Sequence, residues 1–304
     1  MSLIILGSVA FDALETPFGK TDKIVGGAAS YAAIAASYLH KQVKIVGVVG
    51  EDFGEENLRK FTDHDIDISG IQIKKGQKSF FWSGRYHNDM NTRDTLVTEL
   101  NVLGDFDPII PAGYQGAEYI LLGNLSPQVQ LTALSRLHHR PKLIVLDTMN
   151  FWMNIALDEL KEVLKKVDVL TINDEEARQL SGQFSLVKAA DIILKMGPKY
   201  LIIKKGEHGA LLFGENKIFS APALPLAEVF DPTGAGDTFA GGFIGYLASV
   251  DVLNFESMKS AVIFGSALAS FCVEKFGVER IENLTVPEIN ERVQLFSALT
   301  SFNI

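Results

Sequence analysis

The run Phe230-Asp231-Pro232-Thr233-Gly234-Ala235-Gly236-Asp237-Thr238-Phe239-Ala240-Gly241-Gly242-Phe243 admits few structures. Residues 239–248 are apolar and mostly small, which predicts a buried helix. A Gly-Ala-Gly turn entering such a helix leaves the N–H groups of Gly234, Ala235 and Gly236 unpaired, at the positive end of the helix dipole. That is a site for an anion. A carboxylate beside it, Asp237, would be repelled by the anion. Its presence makes sense if it takes a proton from a hydroxyl that attacks the anion. The stretch therefore points to phosphoryl transfer to an alcohol.

The remainder of the chain alternates strand and helix patterns, which predicts an α/β sandwich with a mostly parallel central sheet. Residues 3–9 read as the first strand, with Asp12 just past its carboxyl end, where open α/β sheets bind ligands. Residues 12–24 are polar and irregular, a loop or small hairpin. Gly26-Gly27-Ala28-Ala29-Ser30-Tyr31 then opens an alanine-rich helix to about residue 39. The glycines let the backbone approach something small; close helix–sheet packing alone gives the same pattern. Residues 43–49 read as a strand, and Asp52 after it as a helix N-cap. Residues 128–139 read as a helix whose His138-His139-Arg140 end is a cationic terminus. His64, among Asp63, Asp65 and Asp67, reads as a solvated helix end.

Residues 143–146 form a strand ending in Asp147-Thr148-Met149-Asn150, polar residues again at a carboxyl end. Residues 167–172 form another, followed by Asn173-Asp174-Glu175-Glu176. Asn173 and Glu176 stand about one helical turn apart on one face. They suit either a capped helix start or outer-sphere contact to Mg²⁺, which prefers oxygen and keeps its waters. Residues 200–204 read as a strand ending in Lys204, and Lys205-Gly206-Glu207-His208-Gly209 as the turn after it. One of the two lysines contacts phosphate or covers a sheet edge, and the edge is preferred. Residues 257–273 form a long apolar helix, with Gly277 as its C-terminal cap. Thr285 and Glu288 make a capping box for a last helix.

Composition excludes other classes. The net charge of −9 argues against nucleic acid and anionic membranes as partners. No stretch reaches the roughly 18 unbroken apolar residues of a membrane span. The single cysteine, Cys272, lies in an apolar helical run and reads as buried and inert, which fits a reducing cytoplasm. Gly7-Ser8-Val9-Ala10 supplies no dinucleotide fingerprint, against a dehydrogenase.

The sequence Asp231-Pro232-Thr233-Gly234-Ala235-Gly236-Asp237-Thr238-Phe239 resembles the carboxy-terminal signature of the PfkB, ribokinase-like, kinases. Gly26-Gly27 and Asn173-x-x-Glu176, with Leu180-x-Gly182 following, match two further motifs in the same order. The resemblance covers essentially all 304 residues. It implies one ribokinase-like kinase domain, a three-layer sandwich with a small β lid at about 12–25 and 68–100. The implied substrates are ATP with Mg²⁺ and a sugar, cyclic polyol or nucleoside. Implied roles are Asp237 as base and Gly234, Ala235 and Gly236 as anion hole. Asp12, Gly26, Gly27 and Tyr31 would contact the acceptor, with Asp89 and Arg93 from the lid and Arg85 behind them. Asn173, Lys204, Gly206, Gly209, Thr233 and Gly277 would lie along ATP. Asn173 and Glu176 would hold Mg²⁺ through water, and Asp231 and Thr233 would border a K⁺ site. Sugar kinases of the family usually carry Asn where Tyr31 stands, which leans toward an acceptor with a ring face for the phenol to stack on. The competing reading is an inactive sugar- or nucleotide-binding regulator of the same fold, and the intact Asp237 argues against it. Monomer and homodimer both fit.

Overall fold

Short apolar runs make the centre of the molecule. The structure, a computed structural model, describes residues 1–301. Its strands are β1 (Leu3–Leu6), β2 (Ala10–Thr16), β3 (Gly19–Lys20), β4 (Ile24–Gly26), β5 (Val43–Gly50), β6 (Asp67–Lys74), β7 (Phe80–Tyr86), β8 (Arg93–Glu99), β9 (Tyr119–Leu122), β10 (Leu143–Asp147), β11 (Val169–Asn173), β12 (Tyr200–Lys204), β13 (Ala210–Gly214) and β14 (Lys217–Ala221). Its α-helices are α1 (Ala28–Ser37), α2 (Gly54–Thr62), α3 (Pro127–Ser135), α4 (Asn150–Ile155), α5 (Leu157–Leu164), α6 (Asp174–Ser181), α7 (Leu186–Leu194), α8 (Ala235–Val250), α9 (Phe255–Cys272) and α10 (Val286–Thr300).

Nine strands form one sheet in the order β14-β13-β12-β11-β10-β9-β1-β5-β6. Pairing is parallel from β12 through to β6, and β13 and β14 add an antiparallel edge. The central strands are buried on both faces, as a sheet between two helical layers requires. Alternate residues serve alternate cores. Leu3 and Ile5 pack with residues of α1, α8 and α9, while Ile4 and Leu6 pack with residues of α3, α5 and α7. The expected three-layer sandwich is present.

A second sheet, in the order β3-β2-β7-β8 with β4 beside β2, forms the lid. It is drawn from residues 10–26 and 80–99, which corrects the expected segments. Of the loop and the small hairpin that residues 12–24 allowed, the hairpin is present, with β2 paired antiparallel to β3 and β4. Residues 67–74 are not lid: they form β6, which pairs parallel to β5. The crossover helix α2 forces that placement, since a strand–helix–strand unit returns to its own sheet. Asp52 caps no helix. Its carboxylate instead accepts from Ser79 N–H and Oγ, both at 2.7 Å, and takes the Lys23 ammonium at 2.9 Å. Those bonds tie the lid's two entry strands together. The helix expected to 139 stops at Ser135, and Arg140 pairs with the buried Asp168 at 2.8 Å. His64 packs edge-on against Tyr38.

The position of the site follows from one helix pair. A Cβ on Gly241 would lie 2.1 Å from the Ala32 carbonyl oxygen, and one on Gly245 would lie 2.9 Å from Ala36 Cα. Contacts thus advance along α1 and α8 in the same direction, so the helices run side by side and parallel. Both N-termini, at Gly27 and Gly234, open at the carboxyl end of the sheet, with the ends of β10, β11 and β12. Gly241→Ala should overpack this contact and cost about 1–3 kcal/mol. Thermal unfolding checks it: the Tm falls by several degrees, while Gly116→Ala, with open space at its Cβ, leaves it in place.

Candidate active site

The floor of the cleft is the start of α8. Gly234 sits at its N-cap in the left-handed region, φ +75°. The ring of Tyr31 occupies the space where a side chain on Gly234 would go, 2.4 Å from an ideal Cβ, so glycine is obligatory there on two grounds. Ala235 N–H donates to the Pro232 carbonyl at 3.2 Å and closes the turn. The N–H groups of Gly236 and Asp237 have no main-chain acceptor among the described residues, whereas that of Ala235, expected to be unpaired, is bonded.

Asp237 stands in the first turn of α8 and keeps an opening to the cleft, yet its carboxyl is enclosed by protein. Burial pushes its pKa up to about 7, with the Asp147 carboxylate adding to the rise and Lys204 and Arg93 opposing it. Lys204 does not cover a sheet edge. Strand β12 lies inside the sheet, and Lys204 at its end points into the cleft, with Nζ 3.3 and 3.4 Å from the Asp147 carboxylate oxygens. The same Nζ is 3.0 Å from where Gly236 would carry a side chain. Burial alone would depress the Lys204 ammonium; Asp147, Glu176 and Asp237 outweigh it and hold the charge. One cation thus stands beside the Gly236 N–H at the start of the helix, where negative charge is best stabilised.

The opposite side of the cleft is built by α1 and the lid. Asp12, in β2, is 4% exposed, and a Cβ on Gly26 would lie 1.9 Å from its Oδ2. Gly26 therefore makes room for the carboxyl. Gly27, φ +92°, caps α1, and its N–H favours the charged form of the Asp12 carboxyl. Ser8 fixes the same terminus by accepting Ala28 N–H on Oγ at 3.0 Å and Ala29 N–H on its carbonyl at 2.9 Å. Burial, with Asp231 and Asp237 nearby, pushes Asp12 up to about 8. Tyr31 offers no face for stacking. It is 1% exposed, its ring lies under Gly234, and its buried hydroxyl has no partner. A tyrosine on the buried side of α1 supports the anion loop from below.

The lid contributes Arg93 but not Asp89. Arg93 packs over the Trp82 ring at 5.5 Å, and its charge opposes the pKa rise of Asp12, Glu176 and Asp237. Asp89 accepts from Asn91 N–H, Thr92 N–H and Thr92 Oγ1 at 3.1, 2.9 and 2.6 Å, and so shapes the lid tip. Arg85 pairs with Glu15 on the lid itself.

Asn173 and Glu176 form a reciprocal capping box at α6, both bonds at 2.8 Å. Glu176 is buried, which pushes it up to about 7. Among the described residues no cluster of three His, Cys, Asp or Glu side chains could cage a metal. The donors that face the cleft, Asn173, Glu176 and Asp147, are all oxygen. They suit a cation that brings its own waters. Gly206 and Gly209, φ +54° and +80°, make the turn after β12, and a Cβ on Gly209 would lie 2.1 Å from the Ala221 carbonyl oxygen. Gly277 is not the cap of α9, which ends at Cys272. It turns the following loop at φ +57° and donates its N–H to Asp231 Oδ2 at 2.9 Å. Asp231 Oδ1 takes Thr233 N–H, also at 2.9 Å. Cys272 is buried against this loop, as expected. Asp147 was not among the candidate residues; its position at a strand's carboxyl end was the available signal.

Residues 7–283 match the pfkB family of carbohydrate kinases. The chain belongs to this family. It is 33% identical to a cytidine kinase of Thermococcus kodakarensis, over 80% of this chain and 87% of that one. A nucleoside kinase of Methanothermobacter thermautotrophicus is 24% identical across 97% and 96% of the two chains. The fold is shared with the Methanocaldococcus jannaschii nucleoside kinase at a TM-score of 0.76 and 22% identity, covering 97% of this chain and 99% of that one. A putative ribokinase II of E. coli, determined with ATP and Mg²⁺, superposes at 0.79 with 19% identity and the same coverage. This PfkB chain is thus a phosphotransferase whose acceptor is an alcohol, a sugar or nucleoside kinase. No helix among its described residues is long and apolar enough to cross a membrane.

The buried carboxyl of Asp12 also predicts a stability effect. Its folded pKa lies above the unfolded one, so the folded state binds more protons between about pH 4 and 8 and loses stability as pH rises through that window. Asp12→Asn keeps an acceptor for Gly27 N–H without the charge. In pH-dependent thermal unfolding its stability relative to the wild type should rise from pH 5 to pH 9, by up to about 4 kcal/mol, most of it gained below pH 8.

Proposed function

We propose that this chain is an ATP-dependent nucleoside kinase in which Asp237 deprotonates the acceptor hydroxyl. The observation that carries the mechanism is the place of Asp237: a desolvated carboxyl with a pKa near 7, in the first turn of a helix whose N-terminus and a lysine mark the anion's position. A base with that pKa is poised to accept a proton at neutral pH. The acceptor class rests on the cytidine and nucleoside kinases among the relatives.

In this reading Asp12 and Gly27 orient the acceptor's hydroxyls at the α1 terminus, and Arg93 closes over them from the lid. Gly236 and Asp237 N–H, with Lys204, face the charge on the transferring phosphoryl. Asn173, Gly206, Gly209, Thr233 and Gly277 line the path of ATP. Asn173 and Glu176 would hold Mg²⁺ through its waters. Bound with ATP, that ion supplies positive charge across the phosphates. Each oxygen of Asp231 accepts one N–H, which fixes the carboxylate beside the place where K⁺ would sit.

Asp237→Asn should lower turnover on the order of 10²–10⁴-fold while ATP binding persists, measured by ADP release and calorimetry. Near-normal turnover would remove Asp237 from the mechanism. In the wild type, log kcat/KM should climb with a slope near one up to about pH 7 and then level off, as Asp237 ionises. An ADP-release panel of nucleosides, pentoses, hexoses and inositols tests the acceptor class. Preference for a free sugar over every nucleoside would overturn it.

A further inference from the structure

The loop that sets the anion hole, residues 230–234, is held almost entirely by the main body. Phe230 N–H donates to the Val273 carbonyl at 2.8 Å, Asp231 ties Thr233 and Gly277 N–H, and Cys272 Sγ lies 3.6 Å from the Thr233 carbonyl oxygen. One polar contact comes from elsewhere. Thr233 Oγ1 donates to the Tyr86 hydroxyl at 3.1 Å, and Tyr86 is the last residue of lid strand β7. The phenol is 5% exposed, although the strand paired with β7 on its outer side, β8, is exposed along its whole length. Arg93 stands directly across from it in the β7–β8 ladder. The second contact between lid and loop is apolar and undirected: the Phe18 ring lies 4.8 Å from Phe230.

We propose that Tyr86 is a positioning residue through which the lid sets the anion hole. Its hydroxyl fixes Thr233, Thr233 fixes the left-handed turn at Gly234, and that turn aims the Gly236 and Asp237 N–H groups at the phosphoryl. The bond exists only with the lid over the cleft, since β7 carries the phenol. A lid that has swung away takes it along, and Thr233 keeps only its main-body ties. The hole is then fully formed when the acceptor is enclosed and loosened when the cleft is open to water, where a competent hole would promote ATP hydrolysis. Arg93, opposite Tyr86, reaches the cleft in the same movement. The Tyr86 assignment rests on the kinase reading above but has a readout independent of turnover.

The experiment compares the wild type with Tyr86→Phe, Thr233→Val and the double variant. Tyr86→Phe keeps the ring and its packing and removes one hydroxyl. The expected result is a three- to tenfold lower kcat, the effect of about one hydrogen bond, with the KM of the acceptor within twofold. Because the two side chains act as one unit, the double variant should be no slower than the singles. In the same proteins without substrate, amide hydrogen exchange over residues 231–238 should be faster in Tyr86→Phe. An unchanged kcat, losses that multiply in the double variant, or unchanged exchange in that segment would each overturn the proposal. If the wild type turns over no sugar or nucleoside, the kinase reading fails, and the exchange comparison still decides whether the lid holds the loop.

Discussion

The contact between α1 and α8 is the constraint on which the site depends. The Gly241 backbone touches the Ala32 carbonyl, and Gly245 repeats the approach one turn on. Two parallel helices at this separation bring their N-terminal N–H groups to one place, at the carboxyl end of the strands. One terminus carries the buried Asp12 beside it and the other carries Asp237 and Lys204. The small side chains of α1, which carry little amphipathic signal, serve this approach. The helix is apolar all round because it is buried all round.

That arrangement crowds acidic groups into a cleft with few cations. Asp12, Asp147, Glu176, Asp231 and Asp237 all have pKa values raised by burial. Lys204 is the buried counter-charge, and Arg93 is a second one that arrives on the lid. The chain's net charge of −9 adds no general attraction for a polyphosphate. Binding of the anion must therefore come from oriented backbone dipoles and these two side chains. The lid has an electrostatic part in the site as well as a covering one, and its hydroxyl tie to Thr233 places it in mechanical contact with the same loop.

Much of this was legible in the sequence because it is local. The buried helix after Gly-Ala-Gly, the Asn173–Glu176 box and the final Thr285–Glu288 box depend on residues within one turn of each other, and the structure has each. The failures were of contacts across sequence. Asp52 looked like a cap because capping residues precede helices, but its partners are Ser79 and Lys23. Lys204 looked like an edge residue because edge order is not written in a single strand. Tyr31 looked available to a substrate because periodicity on a helix that is apolar all round does not reveal which side meets the cleft.

The sequence by itself determined the local motif: a carboxylate, a glycine turn and a helix start stand together in fixed order, because their spacing is set by covalent connection. It also determined the layered α/β order, through apolar runs that need burial on two faces. The tertiary structure decided which charge stands beside which. Lys204 meets Asp147 across 57 positions, and Tyr86 meets Thr233 across 147. Such pairs form where strand order and lid placement bring distant segments together, and the burial that shifts their pKa values exists only once the layers have closed.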